Sequence, residues 1–141
     1  MKDSGEQLQT EYYRLLSGNI TYDGVTIPVY DIIPRKAEYP YIKILDRTAV
    51  DLSTKTSLGQ EVTQTLQIVA RFNHGIGSRK GIYNIGADII SIIRDRPIRL
   101  NLTDFNVINS ILDNANTKEN TDEKYNYLIY NLRFRHKLEE V

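Results

Sequence analysis

Residues 60–72, QEVTQTLQIVARF, constrain the fold more than any other stretch. Val62, Leu66, Ile68, Ala70 and Phe72 share one parity, while Glu61, Thr63, Thr65, Gln67 and Arg71 share the other. That alternation is the signature of a strand with one buried face. A half-apolar strand requires a cover, and the next patterned run supplies one. In residues 78–95, Ile82, Ile85, Gly86, Ile89, Ile92 and Ile93 recur at three- and four-residue spacing, which predicts a helix with an apolar stripe.

The flanking elements follow from turn and cap chemistry. Ser4 with Gln7 matches a capping box, and Leu8, Tyr12, Leu15 and Leu16 make a stripe that Gly18 closes, so a first helix is predicted over residues 5–17. Asp23-Gly24 predicts a hairpin turn between residues 20–22 and 25–30, with Pro28 making the second arm an edge or bulged strand. Residues 34–40 read as a loop and residues 41–52 as a long strand. Residues 53–59, STKTSLG, form a flexible hairpin loop into the central strand. Pro97 ends the second helix. Residues 98–102 and 105–112 are predicted as short strands, residues 113–124 as a mobile polar loop, and residues 125–134 as the strand that closes the sheet. The whole, residues 1–141, is predicted to be a single α+β domain: a mainly antiparallel sheet of hairpins with two helices packed on one face.

Composition narrows the function. With 18 basic and 18 acidic residues the net charge is zero, so no global field grips nucleic acid or an anionic membrane. Cysteine is absent, which excludes disulfides and thiolate chemistry. No apolar run resembles a signal peptide or a membrane span, and a soluble protein made in the cytoplasm is expected.

Candidate chemistry is sparse. Gly75, Gly77 and Gly81 stand between strand and helix, but Lys80 occupies the position where a dinucleotide loop needs glycine, and Arg79-Lys80-Gly81 is not the phosphate-loop order. The two histidines, His74 and His136, lack metal-ligand spacing; His74 is expected in a loop and His136 exposed near the C-terminus. Neither a cofactor nor catalysis is expected. Two basic tracts, containing Arg94, Arg96 and Arg99 and then Arg133 and Arg135, either face DNA or an acidic partner, or are a solvated helix end and a strand face offset by Glu139 and Glu140. The hydroxyl-rich loop, Ser53, Thr54, Lys55, Thr56, Ser57 and Leu58, is the candidate docking element, since it tips the two strands expected to be longest.

From residue 4 to residue 138 the chain resembles the phage tail-completion family, the tail terminators or tail-to-head joining proteins. The resemblance is carried by an N-terminal helix, IPVYDIIP at residues 27–34, YPYIKIL at 39–45, a polar loop, the EVTQTLQIVARF strand, and the helix carrying IGADIISII. It implies a non-enzymatic virion protein of the neck, assembled in the host cytoplasm. The implied assembly is a homo-oligomeric ring, six-fold, between the portal-side connector and the tail tube, with packaged DNA passing through its lumen and no membrane involved. The competing class is a small adaptor or nucleic-acid-binding module without catalysis.

Overall fold

A computed structural model describes residues 2–141. Helix α1 (Gly5–Leu16) is followed by the short strands β1 (Thr21–Tyr22), β2 (Val25–Thr26) and β3 (Val29–Tyr30), then by β4 (Tyr41–Asp51) and β5 (Gly59–Asn73). Helix α2 (Lys80–Ile93) leads to β6 (Phe105–Thr121) and β7 (Tyr125–Glu140). β1 and β2 form a hairpin of their own, and the main sheet has the order β3-β4-β5-β7-β6. All its pairings are antiparallel except β3 with β4. The fold is the expected α+β arrangement.

β5 is the centre of that sheet for the reason its pattern implies. Val62, Leu66, Ile68 and Ala70 are buried, as are Leu128, Leu132 and Phe134 across the register on β7. Both helices cover this face. On α2, a Cβ at Gly86 would lie 2.5 Å from the Tyr130 ring, so the missing side chain lets helix and sheet close. On α1, Tyr12 packs against Phe134 and His136.

Polar groups inside this core are partnered. Gln64, on the apolar parity of β5, is buried, and its Nε2 donates to the carbonyls of Leu45 and Asp46 at 3.1 and 3.4 Å. Those carbonyls sit in a bulge of β4 between Ile44 and Arg47, where the ladder cannot satisfy them.

Several expected elements are corrected. The capping box is not formed: Ser4 donates to Gln60 Oε1 at 2.7 Å, Gln7 donates to Asp104 at 2.8 Å, and Asp3 Oδ1 instead accepts the Gly5 N–H. α2 is shorter than residues 78–95. The second hairpin arm breaks at Pro28, which lacks a donor, and Val29–Tyr30 crosses to β4 in parallel. Residues 98–102 are not a strand, because α1 takes their place as partner: Glu11 Oε1 accepts the Asn101 N–H at 2.7 Å, and Gln7 Oε1 that of Asp104.

Residues 113–124 are not a polar loop. Residues 113–121 continue β6, and only residues 122–124 turn. Their side chains find partners across the ladder rather than in a core: Asp113 with Arg133, Asn116 with Asn131, and Thr121 with Asn126. β6 and β7 are consequently the longest strands, so the loop at residues 53–58 does not tip the longest pair.

Candidate assembly surfaces

The sheet face away from the helices is open. The odd-numbered residues of β5 lie on it, and Thr63, Thr65 and Gln67 register with Arg135, Arg133 and Asn131 of β7. Its centre is a ladder of neutral side chains: Thr48 with Thr63 at 2.5 Å, Gln67 with Asn131 at 3.2 Å, and Asn131 with Asn116 at 3.3 Å. Strand parity alone decides this, since every residue the core does not take is presented outward.

The candidate basic residues fall into two groups. Arg133 Nε meets Asp113 Oδ2 at 2.7 Å, and Arg135 meets Asp113 Oδ1 at 2.5 Å and Glu61 at 3.5 Å. One carboxylate thus neutralises much of both charges on the open face, and the partners are Asp113 and Glu61 rather than Glu139 and Glu140. Arg94, Arg96 and Arg99 lie in the segment joining α2 to β6 and are exposed. Arg96 there donates to the Ser110 carbonyl at 3.4 Å.

The candidate docking residues, Ser53 to Leu58, form the β4–β5 tip. They are organised rather than loose. Asp51 Oδ1 accepts the Ser53 N–H and hydroxyl, and Thr54 N donates to the Ser57 carbonyl at 2.8 Å. The Leu58 carbonyl accepts the Glu140 N–H, which ties the tip to the end of β7.

Two features escape the sequence reading. At the other end of the open face, the Arg71 guanidinium lies over the rings of Tyr39 and Tyr125, 4.4 and 4.3 Å from their centroids. Tyr41 and Tyr127 complete the cluster, with Tyr39 5.2 Å from Tyr41 and 6.1 Å from Tyr127 between centroids. The pairs 39/41 and 125/127 are spaced by two, which places each pair on one face of an extended chain; that was the available signal.

The second feature is His136, which is fully buried rather than exposed. It continues the inward parity of Leu132 and Phe134. The Tyr12 hydroxyl and His136 Nε2 share one hydrogen bond, and Ser110 Oγ and His136 Nδ1 another at 2.7 Å. Burial lowers the imidazole pKa to about 4 and pushes the Tyr12 phenol well up. Tyr12, Ser110 and His136 are all closed off from solvent, so this chain of polar groups joins α1 to β6 and β7 without facing a substrate.

Among the described residues, no helix is long and apolar enough to cross a membrane. No curated protein matches the sequence. Among solved structures, the chain is similar to one from the "Virion of native gene transfer agent (GTA) particle", with a TM-score of 0.62 and 16% identity, covering 96% of this chain and 90% of that one. At that identity the likeness speaks for the fold. A family model described as Tail completion protein gp17 matches residues 17–137, which is most of the chain. The chain therefore belongs to the tail completion protein gp17 family and is a structural, tail-related virion protein.

Proposed function

We propose that this chain is the subunit of a six-fold ring at the phage head–tail junction, where it joins or terminates the tail at the connector under the portal. The family match over residues 17–137 carries this reading. The shape of the subunit supports it. One sheet face is sealed by two helices, and the other presents amides and hydroxyls that hydrogen-bond to a neighbour with little net field. Its partners are further copies of itself, portal- or connector-side proteins and tail-tube proteins, with packaged DNA passing through the lumen. The site of action is the virion neck, after assembly in the host cytoplasm.

Within that reading, the tip formed by Ser53, Thr54, Lys55, Thr56, Ser57 and Leu58 is the docking element. Arg94, Arg96 and Arg99 are the better candidates to face DNA, since Arg133 and Arg135 are already paired with carboxylates. Negative-stain imaging of the purified protein, alone and with necks, is the direct test; six-fold rings, or one ring per particle at the neck, are expected. Complete necks from which the protein is absent would sink the proposal. Deleting residues 54–58 should leave a folded subunit that no longer attaches, and normal infectious particles from that variant would remove the tip from the account.

A further inference from the structure

The β4–β5 tip and the tyrosine cluster lie at opposite ends of one sheet. β5 runs the whole way between them, from Gly59 at the tip to Asn73 opposite Tyr125. At about 3.4 Å per residue the separation is roughly 45–50 Å.

The two ends are chemically unlike. The tip and the strand end leading into it expose three large apolar side chains: Val50 at 57%, Leu52 at 42% and Leu58 at 49%. Val50 registers with Glu61 and so stands on the open face. Beside the tip, Glu139 is exposed, pairs in register with Gly59, and makes no ion pair among the described residues. The far end offers the complement. Arg71 is exposed, held over two tyrosine rings, and likewise makes no ion pair among the described residues. A guanidinium positioned by ring contacts keeps its N–H donors for a carboxylate brought by a partner. Tyrosine and arginine together are also the composition of interface hot spots.

We infer that the β4–β5 tip of one copy seats on the Tyr39–Arg71–Tyr125 cluster of a second copy, with its apolar side chains against the rings and a carboxylate on Arg71. This rests on the tip being a docking element and adds the surface that receives it. Contact between unlike surfaces at opposite ends is heterologous, so it propagates from copy to copy. A nucleic acid fits the same cluster less well. Asp122 borders it, accepting the Tyr127 hydroxyl at 3.0 Å and the Tyr125 N–H at 2.7 Å, and hydrogen bonds from the Tyr125 and Lys124 N–H groups hold its carboxyl below the usual range. A polyphosphate meets that charge, whereas one carboxylate on an apolar tip reaches Arg71 alone.

The chain has no cysteine, so introduced thiols report cleanly. Thr56→Cys at the tip and Lys124→Cys beside the cluster are too far apart for a short bismaleimide to join within one copy. In assembled particles, the double variant should give a ladder of covalent multimers and each single variant monomers only. In solution, mixing the two single variants at high concentration should give crosslinked dimers that neither gives alone. Arg71→Glu should abolish both products, and adding Glu139→Lys should restore them at least in part. Monomers throughout, or a ladder unchanged by Arg71→Glu, would overturn the assignment. If deletion of residues 54–58 still blocks attachment in that case, the tip docks elsewhere and only the receiving surface is wrong. Salt-dependent DNA binding by the wild-type protein that Arg71→Glu removes, without any crosslink, would assign the cluster to phosphate instead.

Discussion

The Tyr12 hydroxyl is hydrogen-bonded to His136 Nε2 in the interior, so the first helix and the last strand are joined by two polar side chains that no solvent reaches. Ser110 holds the other ring nitrogen. Of the aromatic neighbours around the ring, Tyr12 is the one that titrates, and its pKa is raised; Val62 is opposite His136 on β5. Among the described residues the ring's hydrogen-bond partners are hydroxyls, not carboxylates, and burial alone sets the imidazole's preference for the neutral form.

That arrangement makes the fold acid-sensitive. The folded pKa of about 4 lies below the ordinary 6.5, so the unfolded chain binds the extra proton first. The stabilisation is complete above pH 6.5 and is lost as pH falls toward 4, at up to about 1.4 kcal/mol per unit, or on the order of 3 kcal/mol across the window. Urea titrations at stepped pH should show this slope. His136→Gln should be less stable at pH 7 yet show a flatter profile, and an unchanged slope would place the titrating group elsewhere.

Gly86 sets the spacing between α2 and the sheet. Alanine favours a helix interior by about 1 kcal/mol, but its Cβ would stand 2.5 Å from Tyr130 Cε2 and 2.9 Å from Cδ2. The clash should win, with Gly86→Ala destabilising by about 1–3 kcal/mol. Tyr130→Leu should be cheaper in the Gly86→Ala background than alone, which a double-mutant thermal-melting cycle measures.

Gln64 is a polar residue on the apolar face because the β4 bulge needs a donor. Gln64→Leu fills similar volume but leaves the Leu45 and Asp46 carbonyls without that partner. The expected loss is about 1–3 kcal/mol in chemical denaturation, and amide exchange should quicken first around residues 44–47. A neutral result would mean that water replaces the amide.

Asp113 restrains two arginines. Asp113→Asn removes the shared carboxylate, and because Arg133 and Arg135 are 48% and 40% exposed the stability cost should stay below about 1 kcal/mol. The surface effect should be larger. DNA retention by the variant, measured by filter binding, should rise and fall more steeply with salt than that of the wild type. Identical salt curves would show that these cations do not reach DNA.

The fold was legible where one face of an element meets the core. β5, β7, α1 and α2 announce themselves by periodicity, and the Asp23-Gly24 turn, with φ of 51° and 75°, by its residues. The errors arise where satisfaction of polar groups is tertiary. Ser4 prefers Gln60 to its own helix, and the backbone N–H groups of Asn101 and Asp104 donate to Glu11 and Gln7 of α1 rather than to a strand. Residues 113–121 looked like a loop because composition reports burial, whereas an edge strand with one open face needs none. The tyrosine cluster required knowing that residues 39–41 and 125–127 meet, which two strands on either side of β5 decide and no local pattern encodes.

The extra residue in the β4 bulge has a consequence for how such chains vary. Before it, Ile42 and Ile44 share the helix-facing side with Ile68 and Leu66; after it, Ala49 and Asp51 do, opposite Val62 and Gln60. The parity of β4 has inverted, and only for that reason do Val50 and Leu52 look outward. Losing one residue at position 45 or 46 would turn the last turn-ward stretch of the strand over, about 17 Å away from the change. In descendants of this sequence, length changes in β4 are therefore expected to come in compensating pairs.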